Sequence, residues 1–121
     1  MDNDRVCELL DETSLEEMKE FIPYDNTISR MSRIFQALQS TTRLKILFLL
    51  SRKDMCVCEL VYTLGMTQSA ISHSLRVLNH LDLVRVSKKG KFAVYSIADE
   101  HVIAFIDMCL EHVTEREKWT G

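Results

Sequence analysis

Between residues 57 and 80, the apolar positions recur with the spacing of two short helices. Gly65 interrupts the pattern where a tight turn is expected, and Thr67 is a residue type that caps a following helix. The second helix should run from about Gln68 to His80, with an apolar face that packs inward: Ile71, Leu75 and Leu78. A helix, a tight turn and a second helix in this order predict a helix-turn-helix.

The opposite face of the second helix is polar. A helix that reads DNA in the major groove presents small polar, amide and basic side chains to base edges and phosphates. This face has that composition: Gln68, Ser69, Ser72, His73 and Arg76. A solvated surface helix would have a similar face, so the interpretation gains its weight from the residues that follow in the chain.

Residues 83–97 predict two strands joined by a turn at Gly90, because β-branched and aromatic residues dominate the second half. Lys88, Lys89 and Lys91 surround that turn. A basic hairpin directly after a recognition helix is typical of the wing of a winged helix-turn-helix. We therefore predict a mainly α fold with a two-stranded β wing.

Further helices are predicted on both sides of this segment. The apolar steps from Thr27 to Leu38 are those of an amphipathic helix, and Ser40 precedes a helix so apolar that it should form the buried centre. We expect one winged helix-turn-helix domain over residues 27–121. An acidic arm, with a short helix that starts at Thr13 or Ser14, should precede it over residues 1–26.

The last helix should begin after Asp99 and end near Lys118. Its apolar stripe is wider than a small domain is expected to cover: Val102, Phe105, Ile106, Cys109, Leu110 and Val113. Pairing with a second copy across a two-fold axis would cover such a stripe, so we expect a homodimer through the terminal helices. Within the stripe, we interpret Cys109 as a buried packing residue.

Length and charge narrow the class of protein. A chain of 121 residues with no run of 18 apolar residues is expected to form one domain without a membrane span. Its acidic N-terminus lacks the apolar stretch of a signal peptide, so we expect a cytoplasmic location, where thiols stay reduced. The net charge is −3, but between Arg76 and Lys91 the only acid is Asp82. A basic patch on an acidic body suits a DNA-binding protein.

Cys56 and Cys58 form a thiol pair at the start of the helix-turn-helix. Thiolates bind soft or borderline ions such as Zn, Cd, Pb or Cu(I). Within a regular helix, residues i and i+2 point about 200° apart, so the pair converges only if Cys56 precedes the helix or its first turn is distorted. Cys7 in the arm is the natural third ligand, and Asp11 is a possible oxygen ligand. The alternative is that Cys58 packs in the core and Cys56 is incidental.

Asp99, His101, His112 and Glu115 form a second candidate metal site. Eleven helical residues return His112 to within about 20° of His101, yet about 16 Å farther along the axis. One helix therefore cannot place both histidines on one ion, whereas two antiparallel copies can build two symmetric sites. Two histidines and two carboxylates suit tetrahedral zinc. The alternative is a solvated charged face.

These residues together resemble the ArsR/SmtB family of metal-sensing repressors. The resemblance covers nearly the whole chain and depends on four segments: Cys56–Leu60, Ser69–Arg76, the Lys88–Lys91 wing with Tyr95–Ser96, and Asp99–His101. It implies a homodimer that represses a metal-efflux operon and leaves DNA when metal binds. By position, Cys7, Cys56 and Cys58 match the family's thiolate sensing site, with the arm donated by the other subunit. The four residues of the last helix match a second, intersubunit site.

One departure concerns metal preference. Relatives with such an arm carry a second cysteine four residues after the first, where this chain has Asp11. Three thiolates instead of four leave the choice among cadmium, lead and zinc open. Two other functions stay open: a redox-sensing winged-helix repressor that uses Cys56 and Cys58, and a metal-storage or delivery protein that does not bind DNA. We expect no enzyme, because the sequence has no Gly-rich phosphate loop, HExxH motif or nucleophile elbow.

Overall fold

The computed structural model describes residue 8 and residues 10–120, with side chains up to residue 115. The helices are α1 (Glu12–Met18), α2 (Asp25–Ala37), α3 (Thr41–Leu50), α4 (Val57–Leu64), α5 (Gln68–His80) and α6 (Glu100–Thr120). The strands are β1 (Met55–Cys56), β2 (Val84–Lys89) and β3 (Phe92–Ile97), and one 3₁₀ turn covers Lys19–Phe21. Within the described part of the chain, no helix has the length and apolar character that crossing a membrane requires.

The chain divides into two compact units, Met1–Ser32 and Arg33–Gly121. In the first unit, α1 begins one residue after Asp11, whose carboxylate accepts a hydrogen bond from the backbone N–H of Ser14. The predicted start at Thr13 or Ser14 was therefore late, because the acidic residue caps the helix rather than the hydroxyl residues. The predicted domain boundary after residue 26 stays a prediction.

The second unit is built around α3 and α5. Ile46 and Leu47 of α3 are fully buried, and so are Ile71, Leu75 and Leu78 of α5. Full burial of an aliphatic side chain of this size stabilises a fold by about 1.5–3 kcal/mol. The predictions that α3 is the centre of the domain and that this face of α5 packs inward are confirmed.

The ends of α5 follow from its sequence. Thr67 adopts extended backbone and its hydroxyl accepts a hydrogen bond from the N–H of Ala70, 3.1 Å away. Gly65, at the end of α4, has a φ of 64°, a left-handed conformation that glycine adopts at little cost. The cap, the turn and the bounds of the second helix are those that the sequence predicts.

The sheet is antiparallel and has the strand order β1-β3-β2. β2 and β3 form the predicted hairpin, with Lys88 opposite Ala93 and Lys89 opposite Phe92. The short strand β1 adds a third strand that we did not predict, with Cys56 opposite Val94. Two residues are too few to show a strand's alternation, so only the folded chain shows the pairing. The mainly α fold with a wing is confirmed.

Asp82, which follows the C-cap of α5, has an unusual backbone conformation. Its φ of 59° makes it the one residue other than glycine with positive φ among the residues that the structure describes. The N–H of Asp82 donates to the carbonyl of Asn79, and the N–H of Leu83 donates to that of Leu78. These bonds form a Schellman motif, in which the left-handed position is usually glycine or asparagine. The single acid in the basic stretch therefore has a backbone role.

We expect Asp82→Val to lower the free energy of unfolding by about 1–2 kcal/mol, because a β-branched residue is strained at positive φ. Asp82→Asn should stay within about 0.5 kcal/mol of the parent, since asparagine tolerates this conformation. Denaturant titrations at one protein concentration measure both. Asp54→Val is the control, because Asp54 is exposed and lacks positive φ. Equal losses for Asp54→Val and Asp82→Val would contradict the explanation.

Candidate nucleic-acid interface and metal-ligating residues

The buried face of α5 determines which of its side chains reach solvent. Since Ile71, Leu75 and Leu78 point into the core, the opposite face is directed outward. Four of the five predicted DNA-contacting residues are exposed and the fifth, Ser72, is partly exposed; the four are Gln68, Ser69, His73 and Arg76. The structure therefore presents them together on two successive turns of one helix.

The wing carries the predicted lysines at its tip. Lys88 and Lys89 end β2 and Lys91 precedes β3, and all three are exposed. Gly90 between them has a φ of 64°, which allows the hairpin to reverse direction. None of the three lysines takes part in an ion pair with another described residue. Their charges are available to an anionic partner.

Cys56 lies at the junction of three elements. It ends β1, pairs with Val94 of β3, and is the N-cap of α4 with extended backbone at φ −89° and ψ 170°. Cys56 therefore precedes the helix, which is one of the two conditions under which its thiol can converge with that of Cys58. Cys58 occupies the first turn of α4 and is exposed, whereas Cys56 is half-buried.

Glu59 holds the backbone of Cys56 in place. Its carboxylate accepts a hydrogen bond of 3.0 Å from the N–H of Cys56 and an ion-paired one of 3.2 Å from Lys53 Nζ. These contacts, the backbone bond first, lower the pKa of Glu59 below its ordinary value of 4.5. We did not single out Glu59 from the sequence, although its position three residues after the N-cap is a capping-box signal. Because cysteine is not a usual capping residue, the sequence did not reveal this capping box.

The thiolate site is incomplete among the described residues. Cys7, the predicted third ligand, lies outside them. Asp11 is exposed and caps α1. Over residues 8 and 10–115, no group of three or more cysteine, histidine, aspartate or glutamate side chains is arranged to hold a metal. Cys56 and Cys58 alone supply two ligands, and zinc sites in proteins take four.

The predicted intersubunit site is present as two separate halves on α6. Asp99 caps the helix by accepting from the N–H groups of His101 and Val102, and His101 Nδ1 lies 3.4 Å from its carboxylate. His112 and Glu115 lie farther along α6, three residues apart and both exposed. Residues three apart are neighbours on a helix surface. A single chain therefore presents two pairs of ligands and does not bring them together.

The apolar stripe of α6 is only partly covered. Ile106 is buried, but Phe105 is 43% exposed and Met108, which we did not include in the stripe, is 67% exposed. Cys109 is exposed, so its interpretation as a buried packing residue is wrong for the single chain. The reason is that this face lies over an open apolar groove. The other side of the groove is formed by α2, α3 and the residues that connect them: Phe35, Leu38, Gln39, Leu44 and Phe48.

Comparison with known proteins identifies relatives. Residues 40–86 match the sequence profile described as "Bacterial regulatory protein, arsR family". The chain is 34% identical over 88 residues to a "Transcriptional repressor SmtB homolog" of Synechocystis sp., covering 73% of this chain and 67% of that protein. It is also 34% identical over 86 residues to a "Cadmium resistance transcriptional regulatory protein CadC homolog" of Staphylococcus aureus, covering 70% and 71%. These relatives are transcriptional regulators, in agreement with the expectation of a non-enzymatic protein.

A solved structure extends the comparison to the fold. A homodimeric winged helix-turn-helix DNA-binding domain, Mb0332 from Mycobacterium bovis, matches with a TM-score of 0.71 at 26% identity. The match covers 78% of this chain and 90% of that domain. The winged helix-turn-helix fold is therefore shared over most of both chains.

The contacts of Glu59 predict how the start of α4 depends on pH. Because the folded-state pKa is lowered, the stabilising contribution is complete above the unfolded-state value near 4.5 and is lost as pH falls through the folded value. An NMR titration should show the Cys56 amide shift following Glu59 with a midpoint below 4.5. Lys53→Gln should raise that midpoint, and Glu59→Gln should abolish the step. A midpoint at or above 4.5 would contradict the assigned hydrogen bond.

Proposed function

The chain belongs to the arsR family of bacterial regulatory proteins, and on that basis we propose that it is a metal-sensing transcriptional repressor. It binds operator DNA as a homodimer and dissociates when Cd-, Pb- or Zn-type ions bind. One observation carries the DNA-binding part of the proposal: a polar helix face is held outward by three fully buried residues and is followed at once by a basic hairpin. The protein acts in the cytoplasm, where its thiols stay reduced.

DNA binding divides between two kinds of contact. Gln68, Ser69, Ser72 and His73 lie on the first turns of α5, where a recognition helix contacts base edges in the major groove. Arg76 and the wing lysines Lys88, Lys89 and Lys91 contact phosphates. Phosphate contacts carry most of the affinity and make it fall with salt, whereas base contacts carry the sequence preference.

The homodimer forms through the stripe of α6. Its half-exposed side chains include Phe105, Leu110 and Val113. They are contiguous with the apolar groove beside α3, so a second copy would remove a continuous apolar surface from water. The similarity to a homodimeric domain supports this arrangement. Two copies place two recognition helices on one duplex, and the dimer symmetry sets the half-site spacing.

The sensing site consists of Cys56 and Cys58 with Cys7 from the arm of the other subunit, and Asp11 is the candidate oxygen ligand. Thiolates prefer soft ions, and one relative is named for cadmium resistance. Support comes from the backbone of Cys56, whose extended conformation places it before the first turn of α4. A divalent cation held there would draw Cys56, Cys58 and the arm together, and the thiols would release their protons on ligation.

Metal binding reaches DNA through the position of Cys56. The same residue is paired with Val94 in the wing strand β3 and begins the first helix of the helix-turn-helix. A ligand shifts an equilibrium only by its different affinity for the two states. An ion bound more tightly by the form that does not bind DNA would shift the equilibrium toward that form. The change passes to the wing and to α4, which packs against α5.

The second metal site lies between the two α6 helices. Asp99 and His101 of one chain and His112 and Glu115 of the other complete it, twice per dimer. Nitrogen and oxygen ligands suit zinc better than softer cations. Oδ1 of Asp99 accepts both capping hydrogen bonds, so Oδ2 takes no part in capping. That oxygen is the one that would reach a metal.

We expect Cys56→Ser or Cys58→Ser to leave a folded repressor that no longer releases DNA on addition of cadmium or zinc. Allosteric coupling of ordinary strength changes affinity by about 5–150-fold. Addition of metal should therefore lower the affinity of the parent for DNA by at least about fivefold and that of the variants by less than about twofold. Fluorescence anisotropy with a duplex selected from a random pool measures this. Cys109→Ser is the matched control for the loss of a thiol, because Cys109 lies on α6, outside the sensing site; that this variant still dimerises is checked in parallel.

The same assay separates the other functions. If the Cys56→Ser and Cys58→Ser variants still release DNA fully on addition of metal, the sensing site would be the one on α6. Release by an oxidant, reversed by a thiol reductant and absent with metal, would indicate redox sensing. Failure of the parent to bind any selected duplex would leave metal storage or delivery as the function.

The intersubunit site is tested by complementation. With Cys56 and Cys58 changed to Ser in both chains, a His101→Ala subunit mixed with a His112→Ala subunit should give one intact site and one that lacks both histidines. Zinc binding should return at one ion per mixed dimer, whereas either homodimer has two sites that each lack one histidine. Calorimetry on heterodimers verified by mass spectrometry measures the stoichiometry. No recovery would mean that the four residues form only a charged helix face.

A further inference from the structure

A basic groove lies beside the recognition helix, and of its polar residues only Arg76 belongs to the interface described above. It is about 520 Å³ in volume and is formed where α2, α3 and α5 meet. The polar residues that line it are Arg33, Gln36, Arg43, Arg76 and His80. All of its lining residues are described by the structure, and none is acidic. Three arginines from three different helices therefore face one open depression.

The arginine charges are not neutralised within the described protein. The ion pairs there involve Lys19, Lys53 and His101 and none of the groove arginines. Arg43 uses Nη1 to donate to the carbonyl of Ala37, 3.3 Å away, while its buried Nε has no hydrogen-bond partner. A guanidinium has five N–H donors, and this one makes a single hydrogen bond among the described residues, so its outer donors remain for a ligand that enters the groove.

The position of Arg43 adds to the positive potential. It lies in the first turn of α3, which contains no acidic residue. The N-terminal end of a helix carries partial positive charge, so a cation there is unfavourable and an anion is favourable. The guanidinium and the helix end therefore reinforce each other. An anion in the groove would satisfy both, and Arg33 and Arg76 would hold it from the sides.

We propose that this groove holds a backbone phosphate of the bound DNA and forms a second phosphate clamp, separate from the wing. The proposal rests on the DNA binding proposed above. Arg76 belongs both to the groove and to the exposed face of α5, and His80 follows it one turn later. A duplex seated on that face therefore has its phosphates beside the groove. Arginine recognises phosphate through its planar array of donors.

The test uses the salt dependence of binding to a short random-sequence duplex, because phosphate contacts do not depend on base sequence. Each phosphate contact contributes about 0.9 to the steepness of the slope of log affinity against log salt concentration. Loss of one phosphate contact in each subunit should therefore make the slope of the dimer shallower by about 2. We expect this for Arg33→Gln and for Arg43→Gln. Arg43→Gln also removes the hydrogen bond to the Ala37 carbonyl, so thermal unfolding checks that both variants fold.

Arg52→Gln is the matched control, because Arg52 is exposed, carries the same charge and lines a different groove. It should leave the slope unchanged. A wing variant with Lys88, Lys89 and Lys91 changed to Ala reports on DNA binding independently of the groove. If that variant loses affinity while Arg33→Gln and Arg43→Gln behave like Arg52→Gln, the clamp is overturned and the proposed function stands. If the parent shows no salt-dependent binding, both are overturned.

Discussion

The burial of one face of α5 against α3 is the constraint on which the rest of the domain depends. Ile71, Leu75 and Leu78 have no exposed surface, and the residues of α3 that accompany them have almost none. Replacing a buried leucine with alanine in such a core costs about 2–5 kcal/mol, a large fraction of a small domain's stability. That burial leaves α5 one orientation, so the polar face and the wing that follows it have fixed directions.

Cys56 connects the candidate sensor to this frame. One residue is at once a strand partner of Val94, the residue before α4 and a potential metal ligand. Glu59, paired with Lys53, determines the backbone there by accepting the Cys56 N–H. A ligand held elsewhere on the surface would need a longer chain of contacts to reach the wing. Here the candidate sensor and the sheet share a residue.

Local signals made most of this fold predictable. Thr67 and Ser40 are capping residues next to apolar periodicity, and Gly65 and Gly90 mark turns, so the helix-turn-helix and the hairpin follow from neighbouring residues. Features that join distant parts of the chain were not predictable in this way. The pairing of Cys56 with Val94 joins residues far apart in sequence, and the groove arginines come from three separate helices.

The candidate sites show the same division. The exposed face of α5 and the lysines of the wing could be identified from spacing alone. The exposure of Cys109 could not, because it depends on whether another surface covers α6, and periodicity does not say which element does so. Asp11 looked like a possible ligand, yet the folded chain also uses it to cap α1. A side chain that the sequence suggests as a metal ligand can therefore also cap a helix, a role that its position alone did not indicate.

The shortness of β1 has a consequence for time scales. It is an edge strand of two residues, held to the sheet by a single neighbour, β3. Local opening in proteins spans free energies from near zero at such margins to the global value in the core. The two-residue strand that carries Cys56 therefore opens more readily than the six-residue strands β2 and β3. The N–H of Cys56, which donates to the exposed carboxylate of Glu59, should exchange with solvent long before those of α5. A sensor placed there can be reorganised many times within the lifetime of a single folded molecule.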